Sequence, residues 1–407
     1  MAKGRANKSV IILSSILSFI VGFVFSAFAV FYLSIPESYI IPGTYIVENT
    51  YINENKNTSV NYENNTEAGT IVVNHLDTDK ITNEDLSIHF LELGNKYTGD
   101  CTLIKVGDTE ILIDAGSRTS SVPIIQNYLD QYVTDHTLEY VIVTHAHQDH
   151  IAGFGTPKNT DSLFDLYNVG TVIQFAKHNT NSNVYKNYCR ELEDLQARCG
   201  TTVYTALQCV DPTDAAPQIY DLSANIKLEI LDQDYYHTTS SDENNYSVCC
   251  QIIQNNEKYY LFTGDLEKEG EASLIARNLN RLHPVELFKA GHHGSKTSST
   301  DTLLSVIQPK IVCVCCCAGS SEYTSTNVNQ FPTQDFIDRI APYTDQVFVT
   351  TLCVDYQNGV ITPMNGNIVV YYSREEEIVT VACSNNTTIL KDTDWFKANR
   401  IFPGDWA

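Results

Sequence analysis

The stretch that decides the fold is Thr144-His145-Ala146-His147-Gln148-Asp149-His150, which holds three imidazoles and one carboxylate. It directly follows the apolar run Tyr140-Val-Ile-Val, which is typical of a buried strand. Such a strand brings its following loop to a sheet edge, where ligands can converge. Imidazole and carboxylate groups suit Zn²⁺, Mn²⁺ or Fe. Burying them unpaired is costly, so we interpret the stretch as a metal site rather than a polar loop with incidental histidines.

Two later segments have the same design. Tyr260-Leu-Phe-Thr-Gly-Asp265 is an apolar run that ends in an acid, and Leu287-Phe-Lys-Ala-Gly-His292-His293 is one that ends in two imidazoles. Each signal alone is weak, because Gly-Asp is a common turn and adjacent histidines can be incidental. Three groups of possible ligands at strand ends in one chain together predict a single metal centre.

The pattern from residue 87 onward predicts an α+β layered domain. Hairpin strands come first and a mixture of strands and helices follows, with helices expected over 122–132, 184–198, 269–282 and near 333–340. Ile311 to Cys317 is predicted to be a buried strand with cysteines as small apolar fillers, which we favour over a cysteine metal site. The pairing of any disulfides among the 12 cysteines does not follow from the sequence.

The N-terminus predicts a membrane anchor. Residues 1–9 form a basic stub, and residues 10–33 contain no charge. A helix over this uncharged run would be about 36 Å long, enough to cross a hydrocarbon core of about 30 Å. The preceding cations predict that the N-terminus is cytoplasmic and that the C-terminal domain is extracellular. A cleaved signal peptide, with Ala27-Phe28-Ala29 as the cleavage site, would instead give a secreted protein. Residues 34–82 are rich in Asn and Glu and are expected to form a solvated spacer.

The composition sets limits on the function. The chain has 407 residues, 43% of them hydrophobic, so global disorder is excluded. The net charge of −23 argues against a general nucleic-acid-binding surface, which needs Lys and Arg to neutralise phosphates.

The motifs together resemble the metallo-β-lactamase superfamily, whose hallmark is His-x-His-x-Asp-His. Within it, the chain is similar to the hydrolase domain of DNA-uptake competence membrane proteins and related cell-surface hydrolases. Matching segments begin with Phe90-Leu-Glu-Leu-Gly and include Lys289-Ala-Gly-His-His-Gly-Ser. The resemblance implies a four-layer αββα sandwich over residues 83–383. Residues 384–407 would be a tail that packs on this domain.

The resemblance also implies the metal ligands. His145 and His147 would hold one divalent metal ion. Asp149, His150 and one of His292 and His293, with a slight preference for His292, would hold another. Asp265 would bridge the two ions, and it would act with Asp149 at the catalytic centre. The ions would be zinc, with manganese or iron as alternatives. Asp114 either orients a ligand histidine or caps the turn at Gly116.

Two departures from the family pattern stand out. The first metal lacks an obvious third ligand, for which His178, Asp232 and His237 are the candidates. Asn329-Gln-Phe-Pro332 stands where the competence proteins commonly have Tyr-Gly-His-Pro, so their nuclease activity does not transfer safely.

The function expected is a membrane-anchored extracellular hydrolase. It would cleave phosphodiester or related ester bonds of an anionic small-molecule or polymeric substrate at the cell surface, using a metal-activated hydroxide. The alternatives are lactone or β-lactam hydrolysis on the same site, and a non-catalytic surface or metal-binding protein that retains the fold.

Overall fold

The computed structural model describes residues 71–406, except residues 215, 375 and 376. These residues form two mixed sheets, each with its own strand order. The first sheet has the order β1-β17-β16-β2-β3-β4-β5-β6-β7 and the second has the order β15-β14-β13-β12-β11-β10-β9-β8. The strands of the first sheet are β1 (Val72–His75), β2 (Ser87–Phe90), β3 (Thr102–Val106), β4 (Thr109–Ile113), β5 (Thr137–Val143), β6 (Asn168–Gln174), β7 (Thr202–Thr205), β16 (Ile368–Ser373) and β17 (Ile378–Cys383). Those of the second are β8 (Ile219–Asp221), β9 (Ile226–Leu231), β10 (Cys249–Gln254), β11 (Lys258–Phe262), β12 (Leu287–Lys289), β13 (Ile311–Ala318), β14 (Val347–Asp355) and β15 (Val360–Pro363).

The two sheets pack face to face around a shared core, and a second core lies between the second sheet and the helices on its other side. Strand β13 shows the layering, because its eight residues are all buried and those from Ile311 to Cys316 alternate between two cores. Cys313 and Cys315 belong to the core between the sheets, whereas Val312 and Val314 belong to the core beneath the helices of the second sheet. The cysteines are small fillers of a strand that is buried on both faces, as predicted, and all 12 are free thiols. The α+β architecture with two sheets is therefore confirmed.

The helices lie near their predicted positions, although some begin or end at other residues than predicted. The longest is Asn183–Cys199, which ends at Gly200 in a left-handed conformation, with φ of 70°. The helix expected over 269–282 is Lys268–Arg277. It ends early because Asn278 Nδ2 donates to the carbonyl oxygen of Leu274 at 2.6 Å and satisfies a terminal acceptor of the helix. The other α-helices are Thr78–Ile81, Val122–Leu129, Gln148–Ile151, Leu163–Leu166, Ala206–Val210, Asp234–His237, Asp301–Ile307, Gln334–Ile340 and Asp394–Asn399.

The two ends of the described chain extend the domain. Strand β1 lies within residues 34–82, the range assigned to a spacer, and pairs in parallel with β17 from Val72 to His75. The sheet therefore begins earlier than the expected boundary at residue 83. In the tail, Phe396 and Trp406 are buried against the outer core of the second sheet.

The predicted membrane anchor over 10–33, the stub over 1–9 and most of the spacer lie outside the described residues. Among residues 71–406, no helix combines the length and the apolarity needed to cross a membrane.

Candidate metal centre

Several chain segments end at the same edge of the two sheets. The loop after β5 carries His145 to His150, the loop after β11 carries Asp265, and the turn after β12 carries the two adjacent histidines. Parallel pairing of β11 with β12 places the ends of those two strands side by side. The convergence predicted from three separate strand ends is present in the fold.

The centre of the site is one carboxylate oxygen. Asp265 Oδ2 lies 3.1 Å from Nε2 of His150 and 3.2 Å from Nε2 of His293. Asp149 Oδ2 lies 3.5 Å from the same nitrogen of His293. His150, His293 and Asp265 are buried, so their polar atoms converge where little water can reach them.

Asp100 joins these residues from the start of β3. Asp100, His150, Asp265 and His293 each offer one possible ligand atom, and these atoms all lie within 4.8 Å of one another. Asp100 also forms an ion pair with the buried ammonium of Lys289, whose Nζ lies 3.8 Å from Asp265 Oδ1. The two oxygens of Asp265 therefore face different partners, the histidines on one side and a lysine on the other.

Asp114 orients His150. Its Oδ2 lies 2.7 Å from Nδ1 of His150, and its Oδ1 accepts a 2.8 Å hydrogen bond from the backbone N–H of Thr144. Asp114 thus connects the end of β4 to the loop after β5. A carboxylate on the far nitrogen of a histidine fixes the tautomer and ring direction that a metal ligand needs.

His145 and His147 form a second pair beside this cluster. Nε2 of His145 lies 3.0 Å from Nδ1 of His147. The ring of His145 is 4.2 Å from that of His150, measured between centroids. Ser247 Oγ lies 3.5 Å from Nδ1 of His145 and accepts a 3.0 Å hydrogen bond from the backbone N–H of Asp265. The two histidines are close enough to share one ion, with Asp265 as their neighbour.

The three candidates for a further ligand all contact other groups. His178 Nδ1 lies 3.2 Å from the carbonyl oxygen of Thr180. Asp232 and His237 pair with each other at 2.8 Å, and Arg277 also binds Asp232. Within residues 71–406, these contacts turn all three side chains toward groups other than the His145–His147 pair.

The adjacent histidines differ in their surroundings. His293 is fully buried, and its Nδ1 lies 2.9 Å from the carbonyl oxygen of Cys315. His292 is 22% exposed, with Nδ1 at 2.8 Å from Glu267 Oε1 and Nε2 at 3.7 Å from Asp265 Oδ2. The ligand set implied by the resemblance included a slight preference for His292 over His293. The geometry moves that preference to His293, which alone of the two belongs to the buried four-residue cluster.

The backbone is strained at this edge. Asp114, His292 and His293 have φ of 59°, 45° and 55°, in the left-handed region that residues with a Cβ rarely adopt. Gly264 also has a positive φ, and a Cβ there would come within 2.8 Å of Ser247 Oγ and 3.0 Å of the Thr144 side chain. The glycine thus lets the Asp265 turn approach the His145 loop.

The charges in the cluster depend strongly on one another. Burial lowers the pKa of His145 well below its usual value, and the neighbouring His150 lowers it further, so this imidazole is neutral. Burial also opposes protonation of His150 and His293, but Asp265 and other carboxylates outweigh it and raise both pKa values. The same histidines hold the pKa of Asp265 well below its usual value despite its burial.

These residues fit a divalent metal ion. Nε2 of His150 and Nε2 of His293 are buried and make no well-oriented hydrogen bond, and the same is true of Asp265 Oδ1. Buried polar atoms without hydrogen-bond partners are rare in folded proteins and point to a site that binds an ion or a water molecule. Imidazole nitrogens and carboxylate oxygens are the donors that zinc binds in catalytic sites. The residues therefore support a divalent metal site.

A cavity of 340 Å³ opens onto this cluster. Its lining includes His147, Asp149 and His292, and also Arg118, Glu322 and Tyr323. The Tyr323 hydroxyl donates a 2.9 Å hydrogen bond to Asp149 Oδ2. Phe331, at the position of the histidine that the competence proteins commonly have, lies 5.8 Å from the His292 ring between centroids.

The sequence offered signals for only some of these residues. Lys289 directly follows the apolar residues Leu287-Phe288, and Asp100 directly precedes Cys101 and a strand. A charged residue next to buried strand residues is the sequence signal that both of them carry. Arg118, Glu322 and Tyr323 lie in loops without a local pattern. Only the fold brings residues 118 and 322 together, so no single-sequence signal could have found them.

Comparison with known proteins identifies similar chains. Residues 94–159, which include His145 to His150, match a family model described as the metallo-beta-lactamase superfamily. The chain is 23% identical over 251 residues to Recombination protein 2 of Haemophilus influenzae, covering 61% of this chain and 26% of that protein. It is 29% identical over 118 residues to Competence protein ComA of Neisseria gonorrhoeae, covering 29% of this chain and 16% of that protein. The chain thus spans about a quarter or less of the length of these relatives.

Solved structures also match. The metallo-beta-lactamase fold protein YhfI of Bacillus subtilis is 12% identical, with a TM-score of 0.38. That match covers 68% of this chain and 99% of the other.

Proposed function

We propose that this chain, which matches the metallo-beta-lactamase superfamily over residues 94–159 and is similar to part of the competence proteins, is a metal-dependent hydrolase of phosphodiester or related ester bonds. The observation that carries the proposal is the convergence of His150 Nε2 and His293 Nε2 on Asp265 Oδ2, at 3.1 and 3.2 Å. This arrangement of buried imidazoles around one carboxylate oxygen has the donor chemistry of a catalytic zinc site.

The residues of the chain have distinct tasks in this proposal. His150, His293, Asp149 and Asp265 would hold one divalent ion, and His145 and His147 would hold a second one next to the same Asp265. A bound divalent ion lowers the pKa of a water molecule and polarises the bond to be cleaved. Asp114 keeps the ring of His150 in place through the 2.7 Å contact. Burial of Asp265 and His150 keeps bulk water away from their donor atoms.

Phosphodiesters suit the chemistry of this site better than neutral esters do. A phosphodiester brings a negative charge that metal ions and a guanidinium can bind together. Arg118 lines the same cavity as Asp149 and His292 and supplies that guanidinium. The high net negative charge of the chain does not prevent this, because exposed charges are screened over about 8 Å at physiological salt.

The location proposed is the outer face of a cell membrane. The uncharged run over 10–33 and the cations before it support a single membrane span with the hydrolase domain outside. Protease treatment of intact cells should degrade the domain while a cytoplasmic marker survives. Protection of the domain would contradict this location, and recovery from the medium would identify the secreted alternative.

The hydrolase proposal is tested with a generic phosphodiester. The protein loaded with Zn²⁺ or Mn²⁺ should hydrolyse bis-p-nitrophenyl phosphate, and His147→Ala should abolish turnover. His136→Asn is the matched control, because His136 is an exposed histidine outside the site and Asn tolerates its φ of 56°. Absence of turnover with every metal, in protein that is folded and holds metal, would reject the proposal.

A second candidate is a non-catalytic metal-binding protein. The observation that favours it is the position of His178, Asp232 and His237, which pair with other groups and leave the His145–His147 site with few protein ligands. Metal analysis of the purified protein separates the two functions. Two ions per chain with turnover supports the hydrolase, and a single tightly bound ion without turnover supports this alternative.

A further inference from the structure

The wall of the cavity carries an ion pair beside residues of the metal cluster. Arg118 Nη2 donates a 2.9 Å hydrogen bond to Glu322 Oε1. The second oxygen of Glu322 accepts a 2.9 Å hydrogen bond from the backbone N–H of Thr98. Arg118 and Glu322 come from loops more than 200 positions apart in the chain. Both side chains line the cavity beside Asp149 and His292.

The guanidinium of Arg118 is held before any ligand binds. Its Nη1 donates a 2.6 Å hydrogen bond to the carbonyl oxygen of Ser117, and its central carbon lies 3.9 Å from the centroid of the Tyr97 ring. The stacking on Tyr97 and the contact with Glu322 fix the plane of the guanidinium. A planar guanidinium has more N–H donors than these two hydrogen bonds use, so donors remain for a ligand. A preorganised side chain loses less entropy when it binds.

We propose that the Arg118–Glu322 pair is a recognition subsite that selects phosphodiesters over phosphomonoesters. Arg118 binds a phosphoryl oxygen of the substrate while another oxygen of the same phosphoryl group faces the metal cluster. Glu322 keeps the net charge of this wall near zero, which suits a ligand with one negative charge. A phosphomonoester carries about −1.5 to −2 at neutral pH and is repelled more strongly by the carboxylate of Glu322. The subsite rests on the proposed function, because it presumes that the metal cluster receives the phosphoryl group.

The dimensions of the cavity agree with this assignment. Its volume of 340 Å³ lies near the small end of ligand pockets, which range over about 300–1,000 Å³. The cavity therefore suits a phosphoryl group with one attached organic group, while the other organic group extends outward. The amides of Gln148 and Asn244 also line it and can donate to the attached group.

The test measures binding without turnover. Dimethyl phosphate stands for a diester and inorganic phosphate for a more highly charged anion, and isothermal titration to the zinc-loaded protein gives both dissociation constants. Arg118→Gln should weaken dimethyl phosphate binding roughly 10- to 100-fold, the range expected for a lost hydrogen bond to a charged group. Arg118→Lys should weaken dimethyl phosphate binding less. Lysine keeps the positive charge but loses the planar set of guanidinium N–H donors and the stacking on Tyr97.

Glu322→Gln should act in the opposite direction. Removing this carboxylate should tighten inorganic phosphate binding more than dimethyl phosphate binding, so that the preference for the diester falls. Arg277→Gln is the matched control, because Arg277 forms an ion pair with Asp232 and Asp234 outside the cavity. It should change neither dissociation constant.

The outcomes separate this inference from the proposed function. Unchanged dimethyl phosphate binding in Arg118→Gln would overturn the subsite even if the protein hydrolyses phosphodiesters. Equal weakening by Arg118→Gln and Glu322→Gln would also overturn it, because it would indicate a general disturbance of the wall. Binding that depends on Arg118 without hydrolysis of any diester would support the subsite and reject the enzyme. If Arg118→Gln does not fold, Arg118→Lys and Glu322→Gln decide the question.

Discussion

Asp114 Oδ2 lies 2.7 Å from Nδ1 of the buried His150, while Nε2 of the same ring lies 3.1 Å from Asp265 Oδ2. The carboxylate of Asp114 therefore contacts the Nδ1 side of the His150 ring, and the carboxylate of Asp265 lies on its Nε2 side. These two contacts link Asp114 at the end of β4, through the imidazole of His150, to Asp265 in the loop after β11. They thereby position the ring of His150 in the site.

Removal of Asp114 should therefore weaken metal binding. Asp114→Ala deletes the partner of His150 Nδ1, and loss of such a carboxylate typically costs about 10- to 100-fold in metal affinity. Competition with a chelator measures the change. Asp130→Ala is the matched control, since Asp130 lies 3.7 Å from His136 at an exposed position. Equal affinity in Asp114→Ala and the wild type would show that the contact does not position the ligand.

The two adjacent histidines should respond differently to substitution. His293→Ala removes a nitrogen of the buried cluster and should lower metal affinity by more than about 100-fold, beyond the effect of losing a supporting partner. His292→Ala removes a partly exposed ring of the cavity wall, so the tighter ion should remain with less than about a tenfold loss of affinity. Metal analysis after dialysis against a chelator distinguishes them. A larger loss of metal affinity in His292→Ala than in His293→Ala would identify His292 as the ligand instead.

Much of the site was readable from the sequence because its ligands cluster directly after apolar strands. The segment His145 to His150 needs only local spacing, and Asp265 and His293 each end a strand of clear pattern. The choice between His292 and His293 depends on two consecutive positive φ angles, of 45° and 55°, which no spacing rule encodes. Asp100 and Lys289 form a pair 189 positions apart, and only the packing of the two sheets brings them together.

Other parts of the fold differ for identifiable reasons. Strand β1 gives little signal in the sequence, because it is only four residues of weak pattern and its partner β17 lies about 300 residues away. Residue type alone does not identify a third ligand for the His145–His147 pair. The structure instead places Ser247 beside His145, and a serine next to a strand has no ligand-like pattern.

Breaking the buried ion pair should destabilise the protein. Lys289→Met removes the buried ammonium beside Asp100 and Asp265, and removal of one partner from a buried pair costs about 3–5 kcal/mol in the free energy of unfolding. The double variant Lys289→Met/Asp100→Asn should recover a large part of this loss, because it removes an uncompensated buried charge. Urea unfolding in the presence of a chelator measures both. No recovery in the double variant would mean that Lys289 acts mainly through Asp265.

His89 should make the free energy of unfolding depend on pH. Burial, assisted by Lys105, lowers the pKa of His89 from 6.5 to about 3, so the folded protein keeps this ring neutral. The unfolded chain takes up a proton below its ordinary pKa of about 6.5. The stability linked to His89 is therefore fully present above about pH 6.5 and falls by about 1.4 kcal/mol per pH unit as the pH decreases toward about 3.

The comparison with His89→Gln isolates this contribution. Gln can replace the contacts of the ring with Ser87 Oγ at 2.8 Å and Tyr128 OH at 2.9 Å without titrating. Between about pH 6 and pH 4, the free energy of unfolding, measured with urea, should fall more steeply with decreasing pH for the wild type than for the variant. The difference in slope should correspond to the uptake of about one proton on unfolding. Parallel pH profiles would indicate that His89 is protonated in the folded state.

The most direct measurement is a crystal structure of the zinc-soaked protein with anomalous diffraction recorded at the zinc absorption edge. We expect an anomalous peak between His150 Nε2, His293 Nε2 and Asp265 Oδ2, and a second, weaker peak beside His145 and His147. Zinc found only at surface carboxylates, with no peak within coordination distance of Asp265, would contradict the metal centre and the hydrolase built on it.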